Sequence, residues 1–200
     1  MGKSGNLPGA LEIIDEVISK REETAGENHR DTLLAKHNKA SMLFDAGDYS
    51  GAYEIQQELL NNHSDFFEQN KPQRLRAKSM MAVIKSNMDS AEMQNEAIAE
   101  QEAILAEYTS RYDYETNEML EAMNFMGMVY SNCGEYKKAH EKLVEALAKY
   151  EAFYGAKHPL TRNIARGVVA TLLNGIRSGK IVKTPFLKGR EARVRRKYGV

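Results

Sequence analysis

Cysteine occurs once in 200 residues, at Cys133. One thiol excludes an internal disulfide framework and a Cys-x-x-Cys metal site, and it fits a reducing, cytoplasmic compartment best. Tryptophan is absent, and proline is confined to Pro8, Pro72, Pro159 and Pro185. No apolar run reaches the roughly 18 residues that a membrane-spanning helix needs, so no membrane partner is expected. The opening MGKSGNLPGALE lacks the apolar stretch of a secretory signal. It begins Met1-Gly2 but has Asn6 where N-myristoylation wants Ser or Thr. Net charge is also lacking, with 28 basic residues against 28 acidic ones. That balance hides a split. Residues 177–200 hold nine Lys and Arg against the single acid Glu191, so an acidic body of −8 carries a basic tail of +8.

What is present is material for helices. Apolar residues make up 42% of the chain, enough for a core. Long stretches of Ala, Glu, Lys, Leu, Gln and Met run between the prolines. Leu11, Ile14, Val17 and Ile18 share one helix face; so do Met119, Met123, Met126 and Tyr130, and Ala139, Leu143, Ala146, Leu147 and Tyr150. Only Ile181-Val182 hints at a strand.

A repeat of about 42 residues organises the chain up to residue 176. Gly5-Asn6-Leu7-Pro8-Gly9-Ala10 aligns with Gly47-Asp48-Tyr49-Ser50-Gly51-Ala52 at an offset of 42, and with Gly134-Glu135-Tyr136-Lys137-Lys138-Ala139 a further 87 on. Arg30, Pro72, Tyr114 and Pro159 form a second series, spaced 42, 42 and 45, which places a three-residue extension in the third interval. The middle copy has Asp89-Ser90-Ala91 in place of the Gly-acid-Tyr turn.

Each landmark has a physical role. Gly5, Gly47 and Gly134 stand where a helix ends and the chain reverses, a position that favours a left-handed backbone. Tyr49 and Tyr136 anchor the reversed chain. Ala40 or Gly127 before the turn, and Ala52 or Ala139 after it, are small enough for two antiparallel helices to approach closely. Pro72 and Pro159 suit the first turn of a helix. The unit is therefore helix A, tight turn, helix B, short loop. The phase predicts helix B over 9–25, pairs over 31–69, 72–109 and 114–154, a final helix A over 159–176, and a basic tail over 177–200 outside the 5–176 repeat domain. A first helix B without its helix A exposes an apolar face, which implies a longer array or a partner molecule, a second copy included.

Gly127, Tyr130, Gly134, Tyr136 and Ala139, with Ala146 beyond them, resemble the tetratricopeptide repeat. Ala40, Leu43, Gly47, Tyr49 and Ala52 follow the same pattern with Leu for one aromatic. The period is longer than the usual one, about 34 residues. With Gly155-Ala156-Lys157-His158-Pro159 it is similar to the kinesin light chain subtype. The resemblance implies an all-α fold, an α-solenoid of antiparallel helix pairs in a right-handed superhelix, whose concave side is lined by helices A. By that register, His37, Asn38, Ser41, Ser79, Asn124 and Arg166 face the groove. Asn38 and Asn124 would clamp a peptide backbone with donor and acceptor together, and Arg166 would meet a carboxylate.

No chemistry-bearing constellation competes with this reading. His29, His37, His63, His140 and His158 form no HxxxH or HExxH spacing. His29 and His158 occupy equivalent loops, which points to a helix-start role. Gly2-Lys3-Ser4 ends like a P-loop but follows no strand or glycine loop. Cys133 is read as a small residue at a helix end, with a redox thiol as the alternative. The ten methionines are read as core filling, with an adaptable Met-rich groove as the alternative. No catalytic residue, cofactor or metal is expected. Lys188, Arg190, Arg193, Arg195, Arg196 and Lys197 make the densest basic run. The plainer reading of that run is a solvated terminus; the functional one is contact with an acidic partner or nucleic acid, or a nuclear import address. The leading expectation is thus a non-catalytic scaffold that binds a peptide or helix of a partner protein. A ribonucleoprotein accessory acting through the tail is the alternative.

Overall fold

The computed structural model describes residues 7–62, 71–111 and 116–200. They divide into two compact units, Met1–Asp89 and Ser90–Val200. The first unit contains α1 (Leu7–Ala25), α2 (Arg30–Ala46), α3 (Tyr49–Asn62) and α4 (Lys71–Ser86), each packed on the next. The second contains α5 (Ala91–Arg111), α6 (Asn117–Asn132), α7 (Tyr136–Tyr154), α8 (Pro159–Arg177) and α9 (Pro185–Tyr198), packed in the same consecutive way. The fold is all-α, a tetratricopeptide-like solenoid of helix pairs. No strand occurs among the described residues, and Ile181 is instead a buried plug against Gly175 of α8. Gly5, His63, Tyr114 and the segment Gly2-Lys3-Ser4 lie outside the described residues.

The turns form as the glycines require. Gly47 ends α2 at φ +85°, and Gly134 follows α6 at φ +75°. In both, the amide that follows the glycine reaches back to close the helix: Asp48 N–H donates to the Leu43 carbonyl at 2.9 Å, and Glu135 N–H to that of Tyr130 at 2.8 Å. At the helix starts, His29 Nδ1 accepts the Asp31 N–H at 3.2 Å and His158 Nδ1 the Leu160 N–H at 3.3 Å. Both histidines are therefore N-caps, and Pro159 occupies the first turn of α8.

The repeat phase needs one correction. Helix α6 starts at Asn117, not 114, because Thr116 Oγ1 accepts the Met119 N–H at 3.1 Å. The N-caps His29, Thr116 and His158 are spaced 87 and 42, so the three extra residues precede Thr116. Buried small residues locate them. Ala40, Ala82 and Gly127 on the A-type helices are 42 and 45 apart, whereas Ala52, Ala97 and Ala139 on the B-type helices are 45 and 42 apart. The extension lies between Ala82 and Ala97, at the turn that lacks glycine. With no left-handed residue there, Asn87 closes α4 through its N–H to the Ile84 carbonyl and its Nδ2 to that of Val83 at 2.8 Å. Ser90 then caps α5, its Oγ accepting the Met93 N–H at 3.3 Å. Helix α5 gains almost a turn ahead of its buried alanine, the seventh residue of the helix rather than the fourth.

The cores are apolar and close-packed. Ala52, Met80 and Ile84 gather in the first unit with Leu43, Phe44, Tyr49 and Tyr53 around them. Met80, Met81, Met123 and Met126 are buried, as core filling requires. Helix α1 is less exposed than its unpartnered phase implies. Leu11, Ile14 and Val17 are half-buried and Ile18 buried, while Ile13 stays 64% exposed. Lys39 Nζ lies 2.6 Å from Asp15, and Lys36 Nζ 2.9 Å from Glu22, tying α1 to α2.

The basic segment differs most from expectation. Residues 185–198 form no tail outside the packed body; they form α9 on α8. Thr184 Oγ1 caps it by accepting the Leu187 N–H at 3.2 Å, and Pro185 sits in the first turn where its missing N–H costs nothing. Tyr198 is buried in one core with Leu147, Tyr150, Ile164, Ala165 and Val168. Arg162 of α8 holds the end of α9, donating Nε to the Tyr198 carbonyl and Nη2 to that of Gly199, both at 2.9 Å. The helix forms because Leu187, Glu191, Val194 and Tyr198 fall on one face, a stripe hidden in sequence by the interleaved Lys and Arg.

Two outcomes check this fold. Gly47→Ala adds a Cβ that meets nothing within 4 Å, so its cost is backbone strain alone, about 1–2 kcal/mol by denaturant unfolding. Tyr198→Ala removes an aromatic ring from the core and costs about 3 kcal/mol. A Tyr198→Ala chain as stable as the parent would show that α9 is not part of the folded body.

Candidate functional site

The four positions expected to line a groove on successive A-type helices, His37, Ser79, Asn124 and Arg166, are spaced 42, 45 and 42 residues. The helices give them unequal surroundings. On α2, His37 is half-buried, and its Nδ1 lies 3.1 Å from Gln56 Oε1 of α3. Ser41 donates its hydroxyl to the His37 carbonyl at 3.2 Å, one turn back. Asn38 is exposed on the same helix. Ser79 departs from expectation: it is 1% exposed within α4 and lines no open groove. Its neighbours Met80 to Ser86 are all buried, so α4 is enclosed along that stretch and no polar face remains there.

The second unit carries the other two expected positions. Asn124 is half-buried on α6, and its amide reaches only the sulfur of Met128, at 3.9 Å. Arg166 is exposed on α8. Helices α6 and α8 touch, so these two equivalent positions lie on neighbouring elements. The structure therefore keeps Asn124 and Arg166 available, and commits His37 and Ser41 to internal bonds.

Two buried glutamines escaped the sequence reading. Gln56 and Gln101 are fully buried, four residues after the buried Ala52 and Ala97 of their helices. Each donates Nε2 to a backbone carbonyl 21 residues on, Gln56 to Ala77 at 3.2 Å and Gln101 to Ala122 at 3.0 Å. They link a B-type helix to the next A-type helix. Leu143 holds the corresponding place in α7. Their spacing of 45 was the one legible trace, and a polar residue in an amphipathic helix reads first as surface.

The remaining polar groups serve structure. Tyr130 donates its hydroxyl to Glu102 at 2.5 Å, and burial pushes its pKa well above the ordinary range. Cys133 is half-buried with its Sγ 3.6 Å from the Gln94 carbonyl. Burial and the nearby Glu135 raise its pKa, the opposite of what a reactive thiol needs. Among the described residues no three His, Cys, Asp or Glu side chains are placed to hold a metal ion.

The basic residues of α9 divide into two sets. Arg195 pairs with Glu191 at 2.8 Å, and Lys197 with Glu151 of α7 at 2.6 Å. The Tyr198 hydroxyl donates to the same Glu151 at 2.7 Å. These bonds to Lys197 and Tyr198 hold the Glu151 carboxyl below its ordinary pKa. Lys188, Arg190, Arg193 and Arg196 are exposed. Arg190 lies 5.9 Å over the Phe186 ring.

Paired helices, left-handed glycine turns and small residues at the close approaches define a helical-repeat protein of the tetratricopeptide type. The tetratricopeptide repeat family model matches residues 2–31 and 119–160. The crystal structure of a singly substituted variant of a Podosopora anserina protein designated a kinesin light chain, with nearly identical TPR-like repeats, is 17% identical. That similarity covers 98% of this chain and 89% of the other, with a TM-score of 0.65. A second crystal structure of the same description, without that substitution, is 16% identical over 98% of this chain and 87% of the other, with a TM-score of 0.60. No curated protein matches. The chain carries tetratricopeptide repeats, and its fold is that of the kinesin light chain TPR-like repeats.

Acid should weaken this fold. Burial is the main cause that holds both His37 and His140 below their ordinary pKa of 6.5. Arg76 adds to it at His37, and Arg190 at His140, where Glu141 opposes. As pH falls, the unfolded chain takes up these protons first. The stability the two histidines contribute is full above about pH 6.5 and is lost progressively below it. The midpoint of urea unfolding should fall between about pH 7.5 and about pH 5.5, and His140→Leu should flatten part of that slope.

Proposed function

We propose that the protein is a non-catalytic interaction scaffold that binds a peptide or helix of a partner protein across its A-type helices. One observation carries the reading. Asn124 and Arg166 hold equivalent places on the touching helices α6 and α8, and neither is consumed by a strong internal bond. An amide and a guanidinium at equivalent places on neighbouring helices suit an extended chain: the amide pairs with its backbone, and the guanidinium with a carboxylate. The face lies on packed helices, so its geometry is held before the partner arrives. His37, Tyr130 and Glu151, three groups with shifted pKa, support the same reading, because they are engaged within the fold. His37 meets Gln56, Tyr130 binds Glu102, and Glu151 holds α9. A cytoplasmic setting, where the one thiol stays reduced, fits this role.

Peptides selected from a random library against the full chain supply the test. Asn124→Ala and Arg166→Ala should each weaken a selected peptide about tenfold, close to 1.4 kcal/mol. Asn38→Ala, in the other unit, should leave such a peptide unaffected. Selected peptides that bind both variants as tightly as the parent would overturn this placement of the site.

A further inference from the structure

Helix α9 and the loop before it present a surface that the interaction face does not use. Val182 and Phe186 are 76% and 71% exposed, more than any other large apolar side chain described. Near them stand Lys183, Arg190, Arg193 and Arg196, all exposed, and none forms an ion pair with a described carboxylate. Phe186, Arg190 and Arg193 follow one another at i, i+4 and i+7, so apolar and cationic groups share one stripe. Solvation alone does not require two bare apolar side chains inside a cationic patch.

Helix α1 presents the opposite pattern. Glu12, Glu16 and Glu23 fall on one stripe and form no ion pair with a described cation. They share this exposed face of α1 with Asp15, Ser19 and Lys20. Ile13, 64% exposed, stands to one side of this stripe, roughly 60° to 100° round the helix. From Glu12 to Glu23 the stripe is about 16 Å long at 1.5 Å per residue, and from Phe186 to Arg196 the cationic stripe is about 15 Å. Charge sign and stripe length correspond, and each helix carries an exposed apolar side chain in or beside its stripe.

We infer that these surfaces dock on each other between two copies of this chain, the acidic stripe of α1 in one copy against the basic stripe of α9 in the next. Ile13 and Phe186 then leave water together, and the carboxylates neutralise the cations. Because the two surfaces differ, one pairing leaves one of each free to take up a further copy. The contact is small and charged, so it is weak and salt-dependent.

Sedimentation velocity of the full chain at rising concentration tests this. The expected result is a mass that grows with concentration at low salt and returns to the monomer at high salt. Glu12→Lys with Glu16→Lys makes one variant, and Arg193→Glu with Arg196→Glu the other. None of these four side chains bonds to a described residue, and circular dichroism with melting checks that both variants fold. Each variant alone should stay monomeric, its dissociation constant raised at least about tenfold. Mixed together they should associate again, because each now offers what the other lacks. A parent chain that is monomeric at low salt overturns the inference. So does association that survives either reversal, or a mixture that stays monomeric. A parent that binds duplex DNA through α9 but shows no mass growth overturns it in favour of a nucleic-acid surface.

Discussion

Helices can share a core only where their backbones approach closely, and here small residues set that approach. Ala40, Ala52, Ala82, Ala97 and Ala139 are completely buried, one on each of α2, α3, α4, α5 and α7. Gly127 on α6 shows how little room there is: a Cβ added there would stand 2.4 Å from Leu143. With the distance set by these residues, the larger side chains around them fill the remaining space. Leu120, Met123, Leu143, Leu147 and Tyr150 do so in the second unit. The turn glycines matter for the same reason, since only a tight reversal returns the chain at that distance.

Polar ties join one helix pair to the next. Gln56 and Gln101 bind a backbone carbonyl of the following helix from within the core, where an unpaired amide costs far more than a paired one. Thr32 and Thr161 do the same at the loops, donating to the carbonyls of Gly26 at 2.9 Å and Tyr150 at 3.3 Å. The middle turn is the exception that marks a division. It has no left-handed glycine, it carries three extra residues, and the two compact units meet in sequence there, at Asp89 and Ser90.

Charge is used twice in α9. Lys197 pairs with Glu151 of α7 as the helix docks, Arg195 braces the helix internally on Glu191, and Tyr198 adds a buried ring and a hydrogen bond to Glu151. The opposite side of the helix keeps its cations in solvent. A stretch that reads as a uniform basic run is therefore two faces, one holding the body together and one turned outward.

The sequence by itself determined the all-α class, the repeat period, the turn glycines at 47 and 134 and the capping histidines at 29 and 158. These are local matters: backbone conformation at one residue, or a side chain reaching two residues along. Tertiary structure alone decided the rest. Ser79 reads as a groove residue by register, but it is buried within α4, because helix periodicity places a face and does not say what covers it. Beyond their spacing, Gln56 and Gln101 carry no mark in the sequence that sets them apart, yet they are core, because their partners lie 21 residues away. The basic segment reads as a solvated tail, yet Arg162 and Glu151, 36 and 47 residues distant from Tyr198, make it a packed helix. Whether a polar residue is spent inside or left for a partner depends on groups far along the chain, and only the packed helices bring those groups together.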